Sequence, residues 1–197
     1  MLYPQAECAL NYSSPWELLV ATILSAQCTD ERVNKETPGL FARFPNVKAM
    51  AEANQEEVEE LVRRTGFFRN KARAIREAAI SIVDNFDGEL PQNMEDLLTL
   101  RGVARKTANV VLGTAFRIAS GVVVDTHISR LSQRLGFTKE ANTDKIERVL
   151  INLIDQDEWI FVGHAIIWHG RRVCGARRPM CNSCTLNDLC PSSTIPK

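Results

Sequence analysis

Residues 100–108 read Leu100-Arg101-Gly102-Val103-Ala104-Arg105-Lys106-Thr107-Ala108, and this stretch joins two helical patterns through a glycine turn. A short helix capped by Asn93 is predicted before it, and a helix from about Arg105 to Phe116 after it. Such a turn presents backbone N–H groups where a phosphate oxyanion binds well. A glycine turn between helices is common, but this one lies in a basic region, because residues 97–124 contain four basic residues and no acidic one.

Helical patterns continue on both sides of this hairpin. Apolar residues recur at three- and four-residue steps from Phe68 to Phe86, the spacing of an amphipathic helix. Ser14, Pro15 and Glu17 have the form of a capping box that opens a helix to about Cys28. Further helices are predicted from Asp30 with an interruption at Pro38-Gly39, and over 46–53, 55–64, 125–135, 143–154 and 158–171. The only β-like run, residues 122–124, is too short to build a sheet, so the fold class is all-α.

The composition excludes several classes of protein. The chain has 197 residues, 45% of them hydrophobic, which is typical of a folded globular protein and not of a disordered one. No apolar run reaches the 18 or so residues of a membrane span, and residues 1–12 lack the pattern of a secretory signal. We therefore expect a cytoplasmic protein in a reducing compartment, where cysteines are more often metal ligands than disulfide partners.

The formal net charge of zero, from 24 basic and 24 acidic residues, argues at first against a nucleic-acid-binding protein. The charges nevertheless occur in blocks. Residues 61–80 contain six bases and one acid, and residues 165–190 four bases and one acid, whereas residues 51–60 and 84–96 are purely acidic among their charged residues. A local basic face can still bind phosphates, so a net charge of zero does not exclude nucleic-acid binding, and the blocks predict a polarised surface.

Four of the six cysteines lie close together near the C-terminus, as Cys174, Cys181, Cys184 and Cys190 in the pattern C-x6-C-x2-C-x5-C. Four cysteines in such a polar segment cannot all be buried structural thiols. The clustering therefore favours a metal centre. Four thiolates suit zinc or an iron–sulfur cluster, and the residues alone leave the two open. The remaining two cysteines, Cys8 and Cys28, are interpreted as small hydrophobic residues.

Two charged residues lie at predicted helix starts. Lys106 falls in the first turn after the hairpin, where the helix dipole disfavours a cation and so favours the neutral amine that a nucleophile requires. By position alone, contact with a phosphate is the commoner role for such a lysine. Asp125 follows the apolar run 122–124 and is a natural N-cap. A carboxylate held there could also stabilise positive charge on an opening sugar or help to move protons. The three histidines, His127, His164 and His169, are interpreted as structural.

Together these segments resemble the endonuclease III family, the helix-hairpin-helix DNA glycosylases with a C-terminal iron–sulfur loop. The resemblance covers nearly the whole chain. It is carried by residues 24–30 (LSAQCTD), 66–72 (GFFRNKA), 105–112 (RKTANVVL), 124–127 (VDTH) and 169–171 (HGR), and by the four clustered cysteines. No one of these motifs is specific alone, but their combination in this order is.

The resemblance implies a fold, a cofactor and an activity. It implies a six-helix barrel domain over 14–119 that contains the helix-hairpin-helix motif at about 97–116. A second domain would combine 1–13 with 120–197 and hold a [4Fe-4S] cluster on the four cysteines of the loop 174–190. Lys106 would be the catalytic lysine that displaces an oxidised pyrimidine through a Schiff base and cleaves the strand 3′ to the abasic site by β-elimination, with Asp125 as the catalytic aspartate. The implied partner is double-stranded DNA with damaged bases or abasic sites, bound by a nucleoid-associated monomer.

The resemblance also implies residues that contact DNA. Gln27 would enter the gap left by the flipped nucleotide and Phe67 would insert opposite the lesion, which agrees with the need of base flipping for a group that fills the vacated stack. The full set of implied DNA contacts is Gln27, Phe67, Arg69, Lys71, Gly102, Ala104, Arg105, Thr107, Arg177 and Arg178.

The chain departs from the family pattern at three places. Arg101 replaces a proline that usually begins the hairpin, and we expect it to add a charge near the phosphates. Ala104 replaces the second hairpin glycine, and we expect it to restrict the turn. The N-terminus is about a dozen residues shorter than is typical of the family.

Other functions compete with this interpretation. An adenine-mismatch glycosylase resembles the same scaffold but lacks a lysine at the position of Lys106 and carries a further C-terminal domain. A non-enzymatic DNA-binding module would use the hairpin and the metal loop only as phosphate grips. A redox-sensing role for the cluster is a third possibility.

Overall fold

The computed structural model describes residues 2–195, and these residues are helical with no strand beyond one isolated bridge between Cys174 and Pro179. The all-α prediction is therefore confirmed. None of the helices in this described part is long and apolar enough to cross a membrane. The chain divides into two compact units, one over 8–118 and one that combines 2–7 with 119–195.

The unit 8–118 contains seven α-helices, six of them with at least six residues. They are α1 (Pro15–Leu24), α2 (Asp30–Arg43), α3 (Val47–Ala51), α4 (Gln55–Val62), α5 (Phe68–Asn85), α6 (Met94–Thr99) and α7 (Arg105–Ala115). The second unit contains α8 (Thr126–Arg134), α9 (Thr143–Leu153) and α10 (Trp159–Arg172).

The predicted caps are observed. The hydroxyl of Ser14 accepts a hydrogen bond from the backbone N–H of Glu17, and Asn93 and Asp125 cap α6 and α8. The capping box is shifted by one residue, because the Glu17 carboxylate accepts from the N–H of Ser13 and not from that of Ser14. Capping residues thus determine where these helices begin.

Two predicted helix bounds are wrong. Helix α2 continues through Pro38, although a proline removes one backbone bond inside a helix. Thr37 and Leu40 on either side of it are buried, so tertiary packing holds the helix through this position. Helix α1 ends at Leu24 and not near Cys28, because Gln27 has a left-handed backbone with φ of 54°.

Helix α5 packs against α3, α4 and α1, and α1 also packs against α7. Helix α1 is almost entirely apolar, with Leu18, Leu19 and Leu24 fully buried in the core of this unit. The chain joins this unit at residue 8 and not at residue 14 as expected. The side chain of Asn34 in α2 ties it there, since Asn34 accepts from the N–H of Asn11 and donates to the carbonyl of Ala9.

The second unit has its own core. Helix α8 packs against α10 and α9, with Ile128, Leu131, Ile146 and Leu150 fully buried. Gly170 of α10 lies so close to α8 that an added Cβ would be 2.9 Å from Nδ1 of His127. This close approach fixes the start of α8, and with it Asp125, relative to α10.

Candidate functional site

The hairpin between α6 and α7 is built around Gly102. Its φ is +80°, a left-handed conformation, and a Cβ added there would lie 2.9 Å from the Cβ of Ala74 in α5. Val103, the next residue, is buried and donates its N–H to the carbonyl of Leu100. Only glycine satisfies both the backbone conformation and the close contact.

Ala104 is the N-cap residue of α7, with φ of −93° and ψ of 168°. This is extended backbone that any residue adopts, so Ala104 is unstrained here, and the expectation that it restricts the turn relative to glycine stays a prediction. Alanine has no side-chain oxygen, and it therefore makes no side-chain cap to the first turn of α7. The N-terminal end of α7 keeps the partial positive charge to which an oxyanion binds.

Arg105 and Lys106 are the first two residues of α7, and both are exposed, whereas Thr107 is half-buried. The amine of Lys106 is therefore accessible from solvent at the positive end of a helix. Gly102 and Ala104 are exposed as well, so this end of the hairpin is open to a ligand.

Arg101 is also exposed, and its Nη1 lies 3.0 Å from Oε2 of Glu77 in α5. The ion pair is solvent-accessible at both partners, so it adds little stability, but it partly offsets the positive charge that Arg101 brings to the hairpin. This pairing has no sequence signature, because the two residues are 24 positions apart in the chain.

Asp125 is half-buried at the start of α8, in the second unit. Its Oδ1 accepts hydrogen bonds of 2.8 Å from the backbone N–H groups of both His127 and Ile128. Both capping hydrogen bonds are to Oδ1, so Oδ2 takes no part in the cap. Capping and a chemical role for the same carboxylate are therefore compatible in this geometry.

His127 follows Asp125 on α8. Burial lowers the pKa of its imidazole, and the Arg130 and Arg171 guanidinium groups lower it further, against the opposing effect of Asp125. Nη2 of Arg130 lies 3.2 Å from His127 Nδ1 and also donates to the carbonyls of Gly170 and Cys174. A neutral His127 accepts from Arg130, in agreement with the structural role expected from the sequence.

Gln27 and Phe67 both lie at exposed loop tips of the unit 8–118. Gln27 follows α1, and Phe67 directly precedes α5. Both have left-handed backbones, with φ of 54° and 48°, and the Phe67 side chain is 64% exposed. An exposed phenylalanine on a strained backbone is costly for a soluble surface, and such positions are associated with function.

Lys71 does not lie on the surface, and its predicted contact with DNA is wrong. The residue is only 6% exposed, and its Nζ donates to the carbonyls of Leu24 at 2.8 Å and Thr65 at 2.7 Å. An ammonium committed to buried carbonyls is not available to a phosphate. The sequence pattern did not reveal that Lys71 is buried, because Lys71 lies among other basic residues in the sequence.

The remaining basic candidates are exposed. Arg69 lies on the first turn of α5, where its guanidinium stacks over the Phe68 ring at 5.3 Å and lies 3.8 Å from the Glu59 carboxylate. Arg177 and Arg178 are exposed in the loop after Cys174. All three can therefore reach a polyanion.

The four clustered cysteines border one cavity of about 160 Å³ in the second unit. Among the described residues, no three or more His, Cys, Asp or Glu side chains converge as they would around one metal ion. Cys8 and Cys28 belong to the unit 8–118. The fold thus brings the four thiols that the spacing grouped to one cavity.

Two residues around this cavity were not identified from the sequence. Nη1 of Arg134 lies 3.2 Å from Cys174 Sγ, and the same guanidinium donates to the carbonyls of Gly175 and Ala176. His169, interpreted as structural, lies with Nε2 at 3.7 Å from Cys184 Sγ and Nδ1 at 2.7 Å from the Tyr3 hydroxyl. Burial lowers the pKa of His169, so its ring is neutral and bridges Tyr3 and Cys184.

Comparison with known proteins places this geometry in a family. Residues 20–156 match the model of a family described as "HhH-GPD superfamily base excision DNA repair protein". Endonuclease III from Synechocystis sp. is 60% identical over 98% of this chain and 88% of its own length. Endonuclease III from Escherichia coli is 40% identical over 95% of this chain and 88% of its own length.

Solved structures agree with these sequence relatives. The structure of a trapped endonuclease III–DNA covalent intermediate matches with a TM-score of 0.91 at 41% sequence identity. The match covers 96% of this chain and 89% of that one. A thermostable thymine-DNA glycosylase has a TM-score of 0.84 at 20% identity and shares the fold. This chain therefore belongs to the HhH-GPD superfamily of base excision DNA repair proteins and, within it, to the endonuclease III family.

Proposed function

We propose that Lys106 is the nucleophile of a bifunctional DNA glycosylase and abasic-site lyase that excises oxidised pyrimidines from duplex DNA. Glycosylase and lyase activity in base excision repair is the function of the family to which the chain belongs. The proposal here concerns the residues that carry it and the lesions that it acts on. It depends above all on the position of Lys106, exposed on the first turn of the helix that follows the hairpin.

The hairpin and the lysine have complementary tasks in this mechanism. Backbone N–H groups beside Gly102 and Ala104 bind a phosphate of the damaged strand, with Arg105 and Thr107 close by. The Lys106 amine that attacks carbon lies on the first turn of the same helix and is exposed there. Phosphate binding and the nucleophile thus come from one helix end.

The chemistry follows from an amine at this position. The Lys106 nitrogen forms a bond to C1′ of the flipped nucleotide as the glycosidic bond breaks, and the base departs with a proton. The sugar ring opens to a protonated Schiff base. Loss of a C2′ proton then breaks the C3′–O bond, which cleaves the strand 3′ to the lesion and leaves a 5′ phosphate on the downstream fragment. A covalent intermediate of this kind divides one difficult step into two.

Asp125 supplies the carboxylate of this site. The cap on Oδ1 fixes its position, and Oδ2 can stabilise the positive charge that develops on the sugar or accept a proton from the attacking amine. We assign the unit 8–118 to the helix-hairpin-helix domain and the unit 2–7 with 119–195 to the cluster domain.

DNA binding follows from the family and its DNA complexes. We propose that the partner is duplex DNA with a damaged base or an abasic site, and that the protein acts as a monomer at the nucleoid. Gln27 and Phe67 fill the space left by the flipped nucleotide, while Arg69, Arg177 and Arg178 contact phosphates. The exposure of these side chains supports the assignment.

We also propose that Cys174, Cys181, Cys184 and Cys190 hold a [4Fe-4S] cluster. The four thiols border one cavity, and four cysteine thiolates are the usual ligand set of such a cluster. When bound, the cluster would cross-link the loop 174–190 and so hold Arg177 and Arg178 in place. The guanidinium of Arg134 beside Cys174 and the His169 ring beside Cys184 provide further support.

Borohydride trapping on abasic-site duplex tests the function. We expect wild type to give a covalent protein–DNA adduct, and Lys106→Ala to give none. Lys106→Arg is the matched variant, since it keeps a cation for phosphate contact but has no nucleophilic amine. If Lys106→Arg still forms the adduct, Lys106 is only a phosphate contact and the assignment fails. Excision rates on a panel of single-lesion duplexes test the preference for oxidised pyrimidines such as thymine glycol.

A further inference from the structure

Lys71 is a buried charged residue on the first turn of α5, and the glycosylase chemistry above does not use it. Its Nζ donates to the carbonyls of Leu24 at 2.8 Å and Thr65 at 2.7 Å. Burial lowers the pKa of this ammonium, and the neighbouring thiol of Cys28 acts in the opposite direction. A buried cation is costly unless it is hydrogen-bonded, so these two bonds are what makes Lys71 tolerable here.

The two carbonyls belong to two different loops. Leu24 is the last residue of α1, three residues before Gln27. Thr65 ends the short 3-10 turn, two residues before Phe67. One side chain therefore connects the bases of both exposed loop tips, which are distant in sequence.

Lys71 also holds the second tip through its backbone. Its N–H donates to the carbonyl of Phe67 at 3.1 Å, the first bond of α5, and Phe67 makes no side-chain cap of its own. Gln27 and Phe67 are two of the four non-glycine residues with positive φ in the described chain. Backbone strain of this kind persists only where the surrounding structure fixes it, and Lys71 is the residue that contacts both segments.

We propose that Lys71 is a positioning residue that holds the Gln27 and Phe67 tips at a fixed separation, so that both enter the duplex together when a nucleotide is flipped. This inference rests on the proposed function, since it assumes that the two tips fill the opened stack. Lys71 itself does not touch DNA. It acts through the carbonyls of Leu24 and Thr65, and an apolar side chain of similar length would leave both carbonyls without this donor.

The test uses Lys71→Met, which keeps the apolar stem and removes the charge and the donors. The probe is a duplex with a stable abasic analogue opposite a fluorescent adenine analogue, whose emission rises when it is unstacked. At saturating protein we expect wild type to raise the emission, and Lys71→Met to give a rise on the order of tenfold smaller, because a small misplacement of such groups has a large effect. Ile82→Val, a buried change elsewhere in α5, controls for general loss of stability and should match wild type.

The outcomes separate this inference from the proposed function. If wild type gives no borohydride adduct, the proposed function fails. If wild type gives the adduct and folded Lys71→Met gives the full rise in emission, Lys71 is not a positioning residue. If Lys71→Met instead lowers the salt slope of binding to undamaged duplex by about one, Lys71 is a phosphate contact, which also overturns the inference.

Hydrogen exchange of the wild-type protein decides the question if Lys71→Met does not fold. The amide of Cys28 donates to the Ser25 carbonyl and the amide of Lys71 to the Phe67 carbonyl, both at 3.1 Å, so each reports the opening of one loop. Release of either carbonyl leaves the buried Lys71 ammonium with one hydrogen bond fewer, so the two loops should open together. We therefore expect the two amides to exchange with protection factors equal within about threefold. Protection that differs by more than about a hundredfold contradicts the proposal.

Discussion

A Cβ atom added at Gly102 would lie 2.9 Å from the Cβ of Ala74 in α5. The hairpin that bears Lys106 is thereby seated directly on helix α5. The position of Lys106 therefore depends on the contact between this turn and this helix.

Gly102→Ala should therefore destabilise the protein strongly. The substitution adds left-handed backbone strain to an overpacked contact, at a combined cost of about 2–4 kcal/mol in the free energy of unfolding. Gly88→Ala is the matched control, because Gly88 has φ of +81° with nothing within 4 Å, so only the backbone strain applies. Urea unfolding measures both variants. Equal losses in the two would mean that the contact with Ala74 is unimportant.

Mutation should separate the capping role of Asp125 from its proposed role in base excision. Asn caps a helix as well as Asp does, so Asp125→Asn should leave stability within about 0.5 kcal/mol of wild type. Loss of the carboxylate charge should slow base excision by about 10²–10⁴-fold in single-turnover assays.

The cap of α9 provides the control for Asp125. There the side chain of Asn142 accepts from the N–H groups of Asp144 and Lys145. Asn142→Ala and Asp125→Ala should each lose about 1 kcal/mol of stability, but only the second should lose excision. Normal excision by Asp125→Asn would restrict Asp125 to capping.

Iron binding should depend on four cysteines and not on six. Alanine substitution of Cys174, Cys181, Cys184 or Cys190 should greatly reduce the iron content of the purified protein, whereas Cys28→Ala should retain it. Arg134→Gln should load iron but lose it about 10–100-fold faster to a chelator, because Arg134 bonds Cys174 and the two carbonyls after it. Visible absorbance and iron analysis follow the loss, and a rate equal to wild type would exclude a supporting role for Arg134.

Acidification should destabilise the second unit through His127. Its pKa is lowered in the folded protein, mainly by burial, relative to about 6.5 in an unfolded chain. The unfolded state therefore binds more protons below about pH 6.5, so the free energy of unfolding is highest above that pH and falls as the pH drops toward the folded pKa. His127→Gln should reduce this dependence, as measured by urea unfolding between about pH 7.5 and 5. An unchanged pH profile in the variant would assign the effect to other groups.

Much of the fold could be predicted from local patterns. The caps at Ser14, Asn93 and Asp125, the amphipathic helix α5 and the hairpin helix α7 each depend on residues within about one turn of each other. The bounds that were wrong depend on distant contacts. Burial of Thr37 and Leu40 carries α2 through Pro38, and the carbonyl of Leu24, the last residue of α1, accepts a hydrogen bond from the distant Lys71.

The candidate site divides in the same way. The spacing of the four cysteines and the position of Lys106 after a glycine turn are visible in the sequence because chemistry constrains residue type and separation. Lys71 could not be assigned, because a lysine in a basic segment has the same sequence signature on the surface or in the interior. Arg134 and His169 were missed as neighbours of the cysteines, since the separations of 40 and 15 residues leave no local pattern.

The sequence by itself determined the helical fold class, the hairpin, the cysteine set and the family, because each of these depends on short-range periodicity or on motifs of fixed order. Only the tertiary structure decided which charges are buried and what they hold. Gly102 is confined by Ala74, Arg101 is paired with Glu77, and Lys71 joins Leu24 to Thr65. Burial and hydrogen bonding between distant segments assign such roles, and neither is a property of residue type.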